Sequence, residues 1–343
     1  MSKVVYDKRG PVAHIRLNRP EVKNAIDVET HELLRDIWAD FAADESLRVA
    51  VLTGTGDAFC AGADLKTHVP TWSDGGPMLA RNKLPDGFAG GITRGQHRIY
   101  KPIVAALNGW VLGGGLELAL ACDIRISSDK AQFGSFELRR GMHPADGGIV
   151  RLVNTVGVGI ALEMELTGEP IDAQRALLAN LVSRVVPHDD LESATNDLVA
   201  KILRNDQKAM ESAKETIFEV IGRPLDDQLK LEALLGYALC GDNPAIRERS
   251  AQFWRSCGAS IPRLLRFLGT TCLAVTVTSP VGNQSPVPPV SGSRAAELPR
   301  VNPRRAHRPV YRYRMLILVL PDRQNSATRN AFLTLGTAHR REP

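Results

Sequence analysis

The stretch Asn108-Gly109-Trp110-Val111-Leu112-Gly113-Gly114-Gly115-Leu116-Glu117-Leu118-Ala119-Leu120-Ala121-Cys122-Asp123 constrains this chain more than any other. An apolar, strand-like run ends on three consecutive glycines and resumes as an apolar helix. Without Cβ atoms the turn lets another group approach its peptide N–H groups, and the following helix aims the positive end of its dipole at the same point. Donors fixed in this way suit an acyl carbonyl that gains negative charge during a reaction, because they need no reorganisation as the charge develops. Glu117 falls in the first turn of that helix. It either complements the dipole, an effect of about 0.3–1 kcal/mol at an exposed end, or transfers a proton. Leu116, Leu118, Ala119, Leu120 and Ala121 surround it, so the helix is predicted to be buried, and a lone carboxylate there would be costly without a purpose. A dinucleotide-binding turn fits poorly: Leu118, not glycine, stands three residues after Gly115, and Glu117 would repel a pyrophosphate.

With 343 residues, 43% of them hydrophobic, the chain has length for one large domain or two smaller ones. Its net charge of +5 conceals two unlike parts. From Arg255 to Pro343 there are fourteen Arg, no Lys and three acidic residues, a net of +11, against a net of −6 for everything before. The mildly acidic first part gives no reason to expect nucleic acid or a membrane surface as a partner. Cys60, Cys122, Cys240, Cys257 and Cys272 are odd in number, widely spaced and without a C-x-x-C pair, so neither a disulfide framework nor a zinc site is expected, and no metal. The start, Met1-Ser2-Lys3-Val4-Val5-Tyr6-Asp7, shows no signal core or transit pattern, and no run has the roughly 18 apolar residues of a membrane span. A soluble cytoplasmic protein is the expectation.

Val4-Val5-Tyr6 and Val12-Ala13-His14-Ile15-Arg16-Leu17 flank a Lys8-Arg9-Gly10-Pro11 turn and predict a hairpin. Behind an Asp27 cap, Leu33, Leu34, Ile37, Trp38 and Phe41 recur at helical steps through Ala43. Val49 to Gly54 is predicted as a buried strand, Gly56 to Asp64 as a loop of small residues, and residues 67–94, rich in Gly and Pro, as a long irregular segment that walls a site. Ile103 to Leu107 and Asp123 to Ser127 are further short strands, so the first half alternates strands and helices as crossover α/β folds do. From about Asp172 to Phe253 the pattern is almost wholly helical, interrupted by the strand-like Val182 to Val186. The Arg/Pro-rich tail reads as disorder; it suits either RNA binding or an out-of-frame extension.

Three more motifs join the glycine turn. Ala58-Phe59-Cys60-Ala61-Gly62-Ala63-Asp64-Leu65 precedes it, Lys101-Pro102-Ile103-Val104-Ala105-Ala106-Leu107 leads into it, and Ala131-Gln132-Phe133-Gly134-Ser135-Phe136-Glu137 with Gly147-Gly148 follows. In this order and spacing they resemble the crotonase superfamily, whose commonest members are enoyl-CoA hydratases and isomerases. The resemblance spans roughly Val4 to Phe253 and leaves the tail outside.

The resemblance implies an α/β fold with a repeated ββα spiral core over residues 1–171 and a helical C-terminal section over 172–254. Through that section copies would assemble as homotrimers or homohexamers, and 255–343 would stand apart as the tail. It implies that the N–H groups of Ala63 and Gly114 form an oxyanion hole for the thioester carbonyl of an acyl-CoA. Glu117 and Glu137 fall where hydratases of the family keep two catalytic glutamates, the first as base and the second as acid, in fatty acid or related acyl-CoA catabolism. Ala25, Ala61, Asp64, Leu65 and Lys66 fall at substrate positions, Ala25 towards the adenine end and Lys66 near the CoA phosphates. Lys66 is equally readable as a solvated loop lysine. No cofactor is implied, since coenzyme A is part of the substrate. Ala145 offers an amide that could orient water, Asp146 adds a charge, and His143 beside Pro144 reads as a packing or capping residue. The rival readings are a Δ3,Δ2-enoyl-CoA isomerase or other crotonase-type acyl-CoA enzyme and, in another class, a non-catalytic scaffold whose basic tail binds RNA.

Overall fold

The hairpin forms as its alternation predicts: β1 (Val4–Arg9) pairs antiparallel with β2 (Val12–Leu17) in a computed structural model that describes residues 2–73, 87–95 and 98–255. Asp27 caps α1 (Val28–Ala43) by accepting from the Thr30 amide at 2.8 Å, which satisfies one of the orphan donors of a helix start. The chain then runs through β3 (Val49–Gly54), β4 (Ala58–Cys60), β5 (Ile103–Leu107), β6 (Trp110–Leu112) and α2 (Gly114–Ala121). It continues as β7 (Ile124–Ser128), β8 (Gln132–Gly134) and α3 (Gly148–Thr167).

From β3 to β8 successive strands are dealt alternately to two sheets. The six-stranded sheet has the order β1-β2-β3-β5-β7-β10, with β10 at Arg184–Val186, and is parallel from β2 onward. The four-stranded sheet has the order β4-β6-β8-β9, with β9 (Ile171–Asp172) antiparallel at its edge. Each strand pair therefore contributes one strand to each sheet before the chain returns. This is the repeated ββα spiral that the resemblance implies.

Period-2 alternation explains why the strands of the larger sheet read as unbroken apolar runs. Ala50, Leu52, Ile103, Ala105 and Leu107 face the main core with α1 and the second sheet. Val49, Val51, Val104 and Ala106 face the opposite side, against Leu191, Leu198, Val199 and Ile202 of a helix over Leu191–Leu203. Both faces are covered, so no polar alternation survives in the sequence. Ala173–Leu178, Gln207–Val220 and Leu225–Asp242 complete the helical C-terminal section.

Besides the short strand β8, two features differ from the sequence reading. The small-residue loop contains β4, whose three residues are too few to show a period and pair only because β6 lies beside them. The long helix α3 escapes notice because Gly157 (φ 80°, ψ 164°) breaks it with non-helical backbone and Gly159 follows, each glycine weakening a helix by about 1 kcal/mol. Two compact units divide the chain between Glu248 and Arg249, and every element named above lies in the first. Among the described residues no helix is long and apolar enough to cross a membrane. The tail from 256 on, and 74–86 of the irregular segment, lie outside the described residues.

Candidate active site

The three parallel strands of the smaller sheet end at one edge, and each delivers a sequence-predicted group there. β4 runs into Ala61-Gly62-Ala63, β6 into Gly113-Gly114 and β8 into Ser135-Phe136-Glu137. Groups far apart in sequence meet because ligand sites in α/β sheets form beyond the carboxyl ends of parallel strands.

The first two loops touch through their glycines. A Cβ on Gly62 would stand 2.8 Å from the Gly114 nitrogen and 3.0 Å from the Leu112 oxygen, and Gly62 also sits at φ 91°. Gly113 (φ 55°, ψ −126°) takes a backbone conformation that side chains rarely adopt. Around Ala63 the chain pairs with Ile26 as a parallel bridge: the Ile26 amide donates to Gly62 and the Asp64 amide donates to Ile26. The Ala63 amide is thereby left on the other edge. Across the contact, the Gly113 amide donates to Gly134 and the Gly113 carbonyl receives Leu116 and Glu117. Among the described residues, neither the Ala63 nor the Gly114 amide donates to a protein acceptor.

Glu117 is 6% exposed, in a helix whose residues from Gly115 to Ala121 are all buried, as its composition predicts. Its Oε1 accepts from the amides of Asp146 at 2.7 Å and Gly148 at 2.9 Å. Gly148 opens α3 and must lack a side chain, since a Cβ would stand 2.9 Å from that same Oε1 and 2.6 Å from Pro144. Burial, and next the Asp146 charge, push the Glu117 carboxyl up; the two amides pull it down, and it settles at about 7. A carboxyl so placed changes charge near neutral pH, which is the condition for a general base that also survives as its conjugate acid.

Glu137 is half-buried, with Oε2 3.0 Å from Ser135 Oγ. Its Oε1 lies 3.1 Å from where a Gly113 Cβ would be, so one oxygen faces the glycine turn. Glu117, Glu137, Ala63, Gly114, Ala25, Ala61, Asp64, Leu65 and Lys66 all line one cavity of about 490 Å³. Leu65 and Lys66 are exposed at its mouth. Asp64 is tied down instead: Oδ1 accepts from the Lys66 and Thr67 amides, and Oδ2 lies 3.1 Å from Arg19 Nη1. Its carboxylate fixes the loop that carries the Ala63 amide. The Ala25 carbonyl accepts from Arg19 at 2.6 Å.

These motifs are shared with known proteins. The enoyl-CoA hydratase/isomerase family matches residues 7–246. The chain belongs to that family. (E)-benzylidenesuccinyl-CoA hydratase of Thauera aromatica is 37% identical over 227 residues, which cover 65% of this chain and 85% of that protein. Short-chain-enoyl-CoA hydratase of Clostridium acetobutylicum is 33% identical over 235 residues, covering 68% and 87%. An enoyl-CoA hydratase structure from Bacillus anthracis superposes with a TM-score of 0.66 at 32% identity, over 74% of this chain and 96% of that one.

This hydratase/isomerase family member surrounds the two glutamates with contacts that sequence reasoning missed. Asp146 and Gly148 clamp Glu117 through backbone amides, which no side-chain pattern reveals. Asp146 itself is balanced by Arg94 Nε at 3.3 Å and Thr93 Oγ1 at 3.2 Å. The Phe88 ring packs against Gly114, where a Cβ would come within 2.7 Å of it. Phe88 falls in the irregular segment predicted to wall the site. Ser135 and the buried Glu165 stand behind Glu137. His143 lines the cavity with Nδ1 2.9 Å from the Pro144 oxygen.

Proposed function

We propose that the protein is an enoyl-CoA hydratase that adds water across the double bond of a trans-2-enoyl thioester. The observation that carries this reading is the convergence of two carboxyl groups and two unengaged amides on one cavity. Glu117 takes a proton from water as the water oxygen bonds to C3. The π electrons move to C2 and the thioester oxygen, where the Ala63 and Gly114 amides hold the developing enolate. Glu137 delivers a proton to C2, giving the 3-hydroxyacyl thioester, and proton exchange with solvent returns Glu117 to the carboxylate and Glu137 to the acid. The two carboxyls act on either side of one double bond, sharing the water that is added across it. Coenzyme A belongs to the substrate in this reading, and no separate cofactor is called for. A pair of carboxyls favours hydration over double-bond isomerisation, which needs one group to move one proton between carbons.

Turnover of 2-enoyl-CoA substrates of graded chain length, followed as loss of the conjugated thioester absorbance, tests this directly. Isomerisation of a 3-enoyl-CoA without hydration would replace the proposal with the isomerase. Because Glu117 must be ionised to act as base and its folded-state value is about 7, kcat/KM is expected to fall about tenfold per pH unit below that point. A flat profile from about pH 5 to 8 would remove Glu117 from the role.

We also propose a homotrimer or homohexamer. The helix Leu225–Asp242 exposes Leu225, Leu229, Leu234 and Tyr237, each more than half exposed, and large apolar side chains left bare around one helix are of the kind covered by association. Light scattering is expected to give three or six times the chain mass of 37.4 kDa; a monomeric mass would overturn it.

A further inference from the structure

Behind Glu137 lies an acid that the hydration chemistry does not use. Glu165, near the end of α3, is 8% exposed, and its Oε2 lies 3.0 Å from Ser135 Oγ. Ser135 is itself 1% exposed, and the same Oγ lies 3.0 Å from Glu137 Oε2. A serine hydroxyl carries one proton. It can donate to only one of these carboxyls, so the second contact is a hydrogen bond only if that carboxyl is protonated and donates to Oγ.

The surroundings decide which of the two acids donates to Ser135 Oγ. Glu137 opens on the cavity, whereas Glu165 Oε1 is sealed and accepts no hydrogen bond among the described residues. A charge at Glu165 would be desolvated with half of its acceptor capacity unused. Burial raises the Glu165 pKa above the ordinary glutamate value; the Ser135 contact opposes the rise, the Glu137 charge adds to it and His143 opposes it. Arg139, the nearby cation of the Leu138–Arg140 turn, is engaged with Glu169.

We propose that Glu165 is a neutral carboxylic acid whose Oε2–H donates to Ser135 Oγ, turning the Ser135 proton towards Glu137 Oε2 and holding Glu137 Oε1 at the glycine turn. Glu165 is thus a positioning residue, acting on the substrate only through Ser135 and Glu137. The proposal rests on the reading of Glu137 as the proton donor to C2. Its sequence signal is absent, because Glu165 sits in a helix whose neighbours Glu163 and Glu169 are ordinary surface partners of Arg175 and Arg139.

A double-mutant cycle tests it. Glu165→Met and Ser135→Ala are each expected to lower kcat about 10-fold with KM little changed, the scale of one hydrogen bond to a charged group. The double variant is expected to be no slower than Ser135→Ala alone, because the acid acts only through that hydroxyl. Glu165→Gln keeps a neutral donor at the same place and should recover most of the activity lost in Glu165→Met. Full additivity, or a Gln variant as poor as Met, would overturn the proposal. A second readout needs no turnover: the infrared difference between wild type and Glu165→Gln should contain the carbonyl stretch of a protonated carboxyl, and a carboxylate band in its place would sink the idea. If the wild type hydrates no 2-enoyl thioester, the hydration reading fails while the infrared band still decides the state of Glu165.

Discussion

Glu117→Gln is expected to lower hydration of a 2-enoyl-CoA by at least about 10²-fold, the usual contribution of a positioned acid or base. The amide retains an oxygen for the Asp146 and Gly148 N–H groups that hold Oε1, so the side chain stays in place and only the basic oxygen is lost. Glu137→Gln is expected to lose activity on the same scale. The Glu117 variant carries its own control for misfolding, because stability is expected to move the opposite way. The folded-state value of about 7 lies above the ordinary 4.5, so folding favours the neutral carboxyl. That contribution is complete below about pH 4.5 and is lost as pH rises through about 7. At about pH 8 the wild type holds a buried charge that glutamine removes, and the variant is expected to be more stable by up to about 3 kcal/mol. The gain should shrink as pH falls towards 4.5. Steady-state assays and urea unfolding at two pH values measure both effects; near-native turnover would reject the assigned role, and a loss of stability at about pH 8 would show that the clamp had been broken.

Gly115→Ala is expected to destabilise the protein by more than about 4 kcal/mol, which leaves little of a domain's usual stability. The added Cβ would lie 2.1 Å from the Cys60 oxygen, 2.8 Å from its carbonyl carbon and 2.9 Å from its Cβ. The first two are backbone atoms of β4, so relief requires α2 and β4 to part, and with them the two loops that bear the Ala63 and Gly114 amides. Gly159→Ala is the matched comparison. It lies within α3 with nothing within 4 Å of its added Cβ, so alanine is expected to stabilise the helix by about 0.5–1 kcal/mol. One substitution type, two signs: thermal unfolding followed by circular dichroism reads both, and a Gly115→Ala protein as stable as the wild type would contradict the close approach of the two elements.

The elements legible in the sequence are those whose own side chains settle their environment. The alternation of Val12–Leu17 and the helical steps of Leu34, Ile37, Trp38 and Phe41 reappear as buried faces. The glycine turn is visible for a similar reason, since only a backbone that must be approached closely, or turned through φ 55° at Gly113, needs consecutive glycines. β4 and β8 were not legible because three residues carry no period and their pairing is supplied by β6. Arg94, Asp146 and Arg151 show no mutual spacing pattern in the sequence, yet Arg94 reaches the Asp146 carboxylate across more than fifty residues and Arg151 donates to the Asp146 backbone oxygen around a turn. The partner that gives each charge its purpose is a matter of tertiary approach.

By itself, the amino-acid order determined an alternation of strands and helices with a helical end and a glycine turn carrying Glu117, because glycine freedom and apolar burial are local properties; the spiral and the roles of Ala63, Gly114 and Glu137 are what the resemblance to the crotonase superfamily implied. Only the tertiary structure decided that three strand ends meet at one cavity, that Glu117 is clamped by two amides and driven to about 7, and that Glu165 stands behind Glu137. The physical reason is that proton affinity and hydrogen-bond direction are set by what surrounds a group in space, and those surroundings come from segments that folding, not sequence proximity, brings together.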